Sequence, residues 1–430
     1  MPVRTLLEKL LAPFAVDRRV LALAFARMAD GIGNSFLIVV IPLYVGSDIV
    51  GGATFGLGES MIIGIILSLF GFLNSTFQPL TGRLSDRYGR RKLFILIGLG
   101  GLAVTNLTYV FARSYVELVV IRGLQGVSVA FIIPASVALV NELATTDERG
   151  GNMGVYNTFR LIGFGAGPVA AGTVVNLGPY ALGRTTITGY DAAFYVATVA
   201  AAVSYLMVTA LITDPESTEA NAGADLSIDV FDRSGSNLLD PIFTLGVASL
   251  FMATAIALFA TIQPQINARL EQGATWFGLQ FAAFVVAQIL LQTPIGRACD
   301  HYGRRPFIVG GMVLLIPATL VQGFVTTSET MFVARLLQGI AGAMVFAPSL
   351  ALAGDLAGKG ESGSKLSVLT MAFGFGIALG PLSSGALVQY GFAVPFVFGT
   401  ALATLGAILV YTQVEETLET TAPVPVVGGD

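Results

Sequence analysis

Charged residues are scarce in this chain: Asp, Glu, Lys and Arg together make up 12% of its 430 residues. Water-soluble domains carry about twice that fraction, roughly 25%. Apolar residues take their place, since they account for 54% of the chain and the mean hydropathy is +0.78. This composition excludes an ordinary soluble domain and predicts a protein embedded in a lipid bilayer.

Cysteine and histidine are almost absent. Cys299 is the only cysteine and His301 the only histidine. The sequence therefore allows no intramolecular disulfide and no cysteine or histidine cluster for a metal ion, and a lone histidine leaves little scope for nucleophilic catalysis. We predict no enzyme activity, no metal and no cofactor, including no ATP site. The net charge of −4 gives no indication of nucleic-acid binding.

Apolar blocks long enough to cross a membrane recur along the chain. A helix needs roughly 20 apolar residues to span the hydrocarbon core. The predicted fold class is therefore all-α integral membrane, with 12 transmembrane helices. The spans are predicted over residues 20–45, 58–81, 93–112, 115–140, 152–176, 190–213, 239–266, 274–297, 306–326, 329–353, 364–390 and 393–413.

A polar segment, residues 214–238, separates the sixth span from the seventh. It is acidic and rich in Ser, Asn and Gly, which predicts a cytoplasmic linker between two six-helix bundles, residues 20–213 and 239–413. Residues 1–19 are basic and leucine-rich, which predicts a cytoplasmic lead-in on the membrane surface. Residues 414–430 are predicted to be a disordered cytoplasmic tail.

The positions of arginine and lysine predict the orientation. If the N-terminus is cytoplasmic, most of the 23 basic residues lie on the cytoplasmic side, and only Arg113, Arg184 and Arg269 lie outside. Cytoplasmic loops favour positive charge. Both termini are therefore predicted to be cytoplasmic, in a plasma membrane. The scarcity of lysine beside arginine favours a prokaryotic source.

The two halves repeat one another. Residues 82–92 read GRLSDRYGRRK, residues 296–306 read GRACDHYGRRP, and the two segments are identical at seven of eleven positions at an offset of 214. Motifs that recur in the same order at nearly the same offset indicate gene duplication. Two further pairs follow at an offset of 213: RGLQG from Arg122 with RLLQG from Arg335, and GAGPVAAG from Gly165 with ALGPLSSG from Ala378.

These motifs resemble those of the major facilitator superfamily, and the resemblance extends over nearly the whole chain. It implies two pseudo-symmetric bundles and alternating access about a central cavity. The helix-five motif is similar to that of the drug:proton antiporters, with Ala171 in place of a glycine. The three motifs, for the loop after helix two, helix four and helix five, are Gly82-x-x-x-Asp86-Arg87-x-Gly89-Arg90-Arg91, Arg122-x-x-Gln125-Gly126 and Gly163-x-x-x-Gly167-Pro168-x-x-Ala171-Gly172.

The first motif predicts a cytoplasmic gate. The resemblance implies that Asp86 faces the positive N-terminal end of helix eleven in the opposite half. Glycines 82 and 89 are expected to let the loop turn tightly. We predict that Asp86 forms a charge cluster with Arg90 and Glu142, and that such clusters hold the cytoplasmic side shut in one state.

The second half is predicted to carry the same gate. Its charge cluster comprises Asp300, Arg304 and Asp355, and Gly303 corresponds to Gly89 of the first half. The predicted gate of the first half also includes Arg91. The alternative is that the basic residues only set the membrane orientation, to which Arg91 is expected to contribute in any case.

Two charged residues lie in the first span. Charges inside spans are costly and usually face a cavity or a partner. Arg27 and Asp30 are three residues apart, so they share a helix face and can pair. Asp30 lies deep in the span, which makes it the candidate for proton coupling, with Arg27 as its partner. The alternative is a static pair that only positions helix one.

Further polar residues within spans are candidates for the cavity. The alternative role for these arginines is to brace helix packing through the glutamines. An excess of arginine over acid in the cavity fits an anionic or neutral substrate better than an organic cation. The candidates are Arg122, Gln125, Arg160, Arg335 and Gln338, and the predicted helix-packing motif comprises Gly163, Gly167, Pro168, Gly172, Gly380 and Pro381.

Together these features predict a secondary active transporter that moves a small organic molecule by alternating access. Proton-coupled export, as in drug or metabolite antiport, is the leading interpretation. The alternatives are a uniporter or uptake symporter for an organic anion, and a membrane sensor or scaffold that does not transport. The predicted partners are a small-molecule substrate, protons and the lipid bilayer, and the protein is predicted to be a monomer.

Overall fold

A computed structural model describes six stretches of the chain. Most of the predicted linker, residues 1–17 of the predicted lead-in and residues 418–430 of the predicted tail lie outside them. The described residues are 18–143, 149–183, 185–214, 230–232, 237–356 and 362–417.

Twelve long helices dominate the described residues, and each contains a stretch long and apolar enough to cross a bilayer. The prediction of twelve transmembrane helices is confirmed. The helices are α1 (Arg18–Val45), α2 (Glu59–Tyr88), α3 (Arg91–Thr108), α4 (Tyr115–Glu142), α5 (Arg149–Leu177), α6 (Gly189–Leu211), α7 (Pro241–Thr261), α8 (Ala274–Tyr302), α9 (Arg305–Leu320), α10 (Ser328–Leu356), α11 (Ser362–Leu387) and α12 (Val394–Gln413).

The helices that precede the two gate motifs are longer than predicted. α2 continues to Tyr88, so most of the predicted loop is helical and the connection to α3 is only Gly89 and Arg90. Charged residues end the apolar span without ending the helix, because the helix continues into the polar headgroup region. Gly89 has φ +61°, in the left-handed region that favours glycine. Gly82 does not turn the chain; it lies inside α2 and packs against Pro134 of α4.

Two small elements are present that the sequence does not predict. The seventh predicted span divides into α7 and a short helix, Gln263–Arg269, whose second residue is a proline. A hairpin of strands β1 (Tyr180–Leu182) and β2 (Thr185–Ile187) connects α5 to α6. Hydropathy does not detect either element, because neither changes the length of an apolar block enough to signal a break.

The helices form two bundles with the same internal contacts. In the first bundle α1 packs against α5 and α6, α2 against α4, and α3 against α4 and α6. In the second bundle α7 packs against α11 and α12, α8 against α10, and α9 against α10 and α12. The sequence repeat therefore corresponds to a structural repeat. The bundles meet along two matching helix pairs, α2 with α11 and α5 with α8.

Two sides of the molecule are distinguished by their connections. One side carries the connections from α2 to α3 and from α8 to α9, with Arg87, Arg90 and Arg304, and is called the arginine-rich side; the opposite side is called the arginine-poor side. The arginine-poor side carries the β hairpin and the short helix. Trp276, the only tryptophan, lies in the first turn of α8 on the arginine-poor side, with 39% of its surface exposed.

Glycines allow the bundles to meet closely toward the arginine-poor side. A Cβ atom on Gly64 of α2 would lie 2.6 Å from the carbonyl oxygen of Pro381 in α11. Gly278 of α8 faces the carbonyl oxygen of Pro168 in α5 in the equivalent way. Small residues are what close packing of membrane helices requires. These two contacts are related by the repeat.

Hydrogen bonds join the bundles on the same side. Gln265 Nε2 donates to Ser60 Oγ at 2.7 Å, and Asn176 Nδ2 donates to Thr275 Oγ1 at 2.8 Å. Each bond connects a residue of the first bundle to one of the second. The arginine-poor side is therefore closed in this structure.

Candidate functional site

A large cavity lies between the two bundles and has a volume of about 1130 Å³. Its walls come from α1, α2, α4 and α5 of the first bundle and from α7, α8, α10 and α11 of the second. Arg83 and Asp86, near the arginine-rich end of α2, also line it. The cavity therefore opens on the arginine-rich side, and it is at least as large as typical small-molecule sites of about 300–1,000 Å³.

An ion pair on α1 forms part of the cavity wall. Arg27 Nη1 bonds Asp30 Oδ2, as the three-residue spacing predicts. Only 3% of the Asp30 side chain is exposed. Its second oxygen, Oδ1, is buried and accepts a hydrogen bond from no described residue. Arg160 of α5 lines the same cavity, and its Nε donates to Asn157 Oδ1 at 2.8 Å.

Arg122 of α4 is held by a polar network. Arg122 Nη1 and the Tyr109 hydroxyl both donate to Gln125 Oε1, each at 3.0 Å. Gln125 Nε2 in turn donates to Asn106 Oδ1 at 2.5 Å. The guanidinium also lies 4.3 Å from the centroid of the Phe70 ring. Arg122 reaches the central cavity, whereas Gln125 stays behind the cavity wall and positions Arg122.

Arg335 of α10 has the equivalent environment in the second bundle. It bonds Gln338, whose Nε2 donates to Thr319 Oγ1 at 3.1 Å. Its guanidinium lies 4.3 Å from the ring centroid of Phe259 and 4.8 Å from that of Phe284. Arg335 lines the cavity, and within the described residues it forms no salt bridge with an acid.

These side chains make the membrane-embedded wall of the cavity electropositive. One acid, Asp30, stands among them, and the low dielectric of the interior strengthens the potential of the unpaired cations. The arginines that line the cavity at this depth are Arg27, Arg122, Arg160 and Arg335.

The charge cluster at the first copy of the gate motif contains Arg91 rather than Arg90. Arg91, of which only 3% is exposed, bonds Asp86, Ser85 at 3.0 Å and Glu142 at 2.9 Å. Arg90 precedes the first turn of α3 and is exposed. The prediction that Arg90 belongs to the cluster is wrong, and Arg91, the next residue of the predicted gate, takes its place. Arg91 begins α3 at the point where its side chain reaches α2 and α4.

The repeat itself contains the signal for Arg91. The offset falls from 214 at the gate motif to 213 at the next motif, so the second copy is one residue shorter between the start of the first motif and the second motif. The offset of 213 makes Arg304 the equivalent of Arg91, not of Arg90. The next residues agree, because the backbone N–H of Lys92 and that of Arg305 each donate to an acid that follows the last helix of their own bundle, Asp214 and Glu416.

The second copy of the motif forms the charge cluster that the sequence predicts. Arg304 bonds Asp300 at 3.6 Å and also bonds Asp355. Gly303 packs against the Glu416 side chain. Thr417 Oγ1 donates to Asp355 Oδ2 at 3.3 Å. Residues 414–417 are therefore held against the bundle, and the prediction of a disordered tail does not apply to them.

Both charge clusters are confined to their own bundles in this structure. The Asp86 side chain, at the cavity mouth, is 33% exposed and bonds Arg91 rather than a residue of α11. None of the salt bridges among the described residues joins the two bundles. This arrangement accords with a cavity that is open on the arginine-rich side.

The helix-packing motif serves two kinds of contact. Gly163 and Gly167 pack against α1 inside the first bundle, and Gly380 packs against α7 inside the second. Gly172 faces Ala274 of α8 across the boundary between bundles. Pro168 and Pro381 provide the carbonyl groups that meet Gly278 and Gly64.

We expect Arg91→Gln to destabilise the protein by about 1–3 kcal/mol, because it leaves the partly buried Asp86 and Glu142 carboxylates without their charged donor. Thermal unfolding of the purified protein, followed by circular dichroism, measures the effect. The matched control is Arg90→Gln, which removes the same charge one residue earlier and should leave the melting temperature unchanged. Equal losses for both variants would contradict the assignment of Arg91 to the cluster.

The family model of the Major Facilitator Superfamily matches the chain twice, over residues 23–243 and 242–426. An uncharacterized MFS-type transporter of Methanocaldococcus jannaschii is 21% identical over 93% of this chain and 99% of its own length. Quinolone resistance protein NorA of Staphylococcus aureus is 20% identical over 93% of this chain and 97% of its own length.

A solved structure supports the same fold. The human organic anion transporter MFSD10 superimposes with a TM-score of 0.64, at 20% identity, over 91% of this chain and 99% of its own. The two matches of the family model fall one on each bundle and together cover almost the whole chain. The chain therefore belongs to the Major Facilitator Superfamily and is a multi-pass membrane transporter rather than an enzyme.

Proposed function

We propose that the protein is a proton-coupled exporter, which exchanges a small organic molecule for protons by alternating access. The observation that carries this proposal is the position of Asp30. Its carboxylate is buried at membrane depth on the wall of a cavity large enough for an organic substrate. An ionisable group so placed is costly, and such groups in transporters commonly mark ion pathways.

The cavity geometry supports alternating access. One side is closed by the glycine contacts and hydrogen bonds between bundles, while the other side is open. Two bundles with the same internal contacts can rock about their shared boundary and exchange these roles. The arginine distribution supports assigning the open side to the cytoplasm.

The gates have a role in the same cycle. When the bundles close on the arginine-rich side, the exposed carboxylate of Asp86 approaches the second bundle, and the N-terminal end of α11 favours a negative charge. In the structure Asp86 is held by Arg91 of its own bundle instead. Closure would therefore exchange contacts within a bundle for contacts between bundles.

Proton exchange at Asp30 alters the charge of the cavity wall. A proton on Asp30 neutralises its carboxylate and weakens the bond to Arg27, which then presents an unpaired cation to the cavity. Loss of the proton restores the ion pair. Exchange requires the substrate to bind the arrangement with the ionised carboxylate, so that substrate binding releases the proton. An anionic group bound beside Arg27 would instead favour the protonated form, which is the linkage of symport. Coupling through Asp30 thus needs only the residues already at the wall.

The wall favours an organic anion, or a neutral molecule, over an organic cation. Arg335 offers a guanidinium without an acid partner among the described residues, flanked by aromatic rings. Such a site suits an acidic group attached to an apolar body. The similarity to a human organic anion transporter and to a quinolone resistance protein supports this class. Uptake of an organic anion by uniport or symport is the competing function.

Alternating access predicts that Gly64→Val shifts the conformational equilibrium. A side chain at this position cannot fit against the Pro381 carbonyl, so the arginine-poor side should open and the arginine-rich side close. Spin labels at Thr54→Cys and Gln389→Cys, in a Cys299→Ser background, lie one on each bundle on the arginine-poor side. Double electron–electron resonance measures the distance between the two labels.

The matched control is Gly58→Ala, because a Cβ atom there meets no atom within 4 Å. We expect the distance distribution to move to longer values in Gly64→Val and to stay unchanged in Gly58→Ala. The same distribution in all three proteins would contradict closure through this contact.

Proton coupling predicts that Asp30→Asn abolishes flux driven by a pH gradient in proteoliposomes but preserves exchange of substrate for substrate, because the variant can still change conformation without carrying a proton. Asp48→Asn, an identical change at an exposed position, should keep the wild-type response. Flux under gradients of both signs separates antiport from symport, and the absence of any flux in the wild-type protein would favour the sensor or scaffold.

The double variant Arg27→Gln with Asp30→Asn tests the static alternative. If Asp30 serves only to neutralise Arg27, removing both charges should restore gradient-driven flux. If Asp30 carries the proton, the double variant stays uncoupled.

The electropositive wall predicts preferential binding of organic anions. Carboxylates with an aromatic body should raise the melting temperature of the purified protein more than amines of the same size. Arg335→Gln should weaken anion binding by about 10–100-fold, the effect of losing one charge-assisted hydrogen bond. The control is Arg305→Gln, which removes an arginine outside the cavity and should bind as the wild type does. Equal stabilisation by amines and carboxylates would contradict this substrate class.

A further inference from the structure

A second, much smaller cavity lies inside the first bundle. It has a volume of about 10 Å³ and is enclosed by α1, α3, α4 and α6. That volume is close to the minimum that one water molecule needs, roughly 10–15 Å³. Half of its lining is polar and half is apolar or glycine. The polar residues are Asp30, Asn34, Asn106 and Gln125, and the others are Gly33, Leu102, Ala197 and Ala201.

The hydrogen bonds of the lining residues leave two acceptor positions unused. Asp30 uses Oδ2 to bind Arg27, while its Oδ1 is buried and accepts from no described residue. Asn106 donates through Nδ2 to the Ala197 carbonyl at 3.0 Å, and its Oδ1 accepts one bond, from Gln125. A carbonyl oxygen can accept two bonds. Two residues that line one small cavity therefore each have an acceptor position to spare.

We propose that one water molecule occupies this cavity and donates to Asp30 Oδ1 and Asn106 Oδ1. Water provides two donors at once, and a buried carboxylate oxygen without a partner is costly. Through Asn106 and Gln125, the water joins the ion pair of α1 to Arg122 of α4. Its presence does not depend on the proposed function; its effect on proton exchange does.

The second bundle provides an internal comparison. Gly163 of α5 packs against Met28, and the equivalent Gly376 of α11 packs against Leu250, so α1 and α7 can be aligned residue by residue. The arginine–glutamine network occurs in both bundles, with Thr319 in the place of Asn106, but the polar residues that α1 contributes to the small cavity have no polar counterparts in α7. On this alignment Asp30, Gly33 and Asn34 correspond to Met252, Ala255 and Ile256. The water site is thus specific to the bundle that carries Asp30.

The charges around the cavity favour water over a monovalent cation. Arg27 already binds the carboxylate, and Gln125 Oε1 already accepts two hydrogen bonds. A cation would need oxygen atoms that these donors occupy, and it would face the positive guanidinium of Arg27.

The water would act on the charge state of Asp30. Hydrogen bonds donated to a carboxylate favour its ionised form. The other ionisable groups around Asp30 are Arg27 on its own helix, Tyr156 and Arg160 of α5, and Arg122 of α4. The lining residues of α3 and α6 carry no charge. The water would therefore link Asp30 to Asn106 of α3, whose amide in turn donates to the Ala197 carbonyl of α6.

Gly33→Ala tests the proposal with a single methyl group. The added Cβ would lie 3.4 Å from the Ala197 carbonyl oxygen and 3.8 Å from the Ala200 methyl, so it fits without a clash. Gly33 and Ala197 both line the cavity, so we expect the methyl group to reduce its volume. Alanine already stands at the equivalent position of α7. The matched control is Gly100→Ala, whose methyl would lie 3.7 Å from Tyr205 at the boundary of α3 and α6, outside the cavity.

Three measurements on the full chain follow. A high-resolution structure should show the water in the wild-type protein and in Gly100→Ala, and not in Gly33→Ala. The infrared carboxylate band of Asp30, isolated by subtracting the Asp30→Asn spectrum, should shift in Gly33→Ala only. The pH at half-maximal transport should rise by about one unit in Gly33→Ala, because losing a hydrogen bond to the charged form makes the proton harder to release.

The outcomes separate this proposal from the proposed function. A wild-type carboxylate band that Gly33→Ala leaves unchanged would overturn the water site even if Asp30→Asn uncouples transport. A shifted band with unchanged gradient-driven flux in Asp30→Asn would keep the water and overturn proton coupling. Stabilisation of the wild-type protein by sodium chloride over choline chloride, lost in Gly33→Ala, would replace the water with a cation and overturn the proposal.

Discussion

The architecture depends on close backbone contacts between the two bundles, which glycine residues make possible. On each side of the repeat, a proline carbonyl in α5 or α11 touches a glycine of α8 or α2, and no side chain separates the two backbones. Contacts this tight form or fail as a unit, because a packed interface has discrete arrangements rather than a continuum. The cavity therefore has a firm floor on one side and an open mouth on the other.

Some residues of the site occur in both halves of the repeat, and others occur in only one half. The arginine–glutamine network recurs in both bundles with its aromatic partner, which marks it as part of the inherited framework. Asp30 has an apolar counterpart, Met252, and so belongs to one bundle alone. An ancestral symmetric dimer would have carried equal halves. The halves therefore share the arginines Arg122 and Arg335 of the cavity wall, while the acid at membrane depth belongs to the first half.

Much of the architecture could be predicted from the sequence, because hydrophobic length and the repeat are properties of the chain alone. The pairing of Arg27 with Asp30 followed from helical spacing. The choice between Arg90 and Arg91 did not follow from the motif, since it depends on where α3 begins, although the change of offset contained the answer. The small cavity could not be predicted, because it brings together Asn34, Asn106 and Gln125 from helices whose relative rotation only coordinates supply.

The lone tryptophan has a consequence for how this molecule can be observed. Trp276 lies next to Thr275, whose hydroxyl joins the bundles through Asn176 on the closed side. Separation of α5 from α8 would change the polarity around its indole ring and hence the colour of its emission. Because the chain contains no other tryptophan, the fluorescence emission of Trp276 reports this separation without an added label.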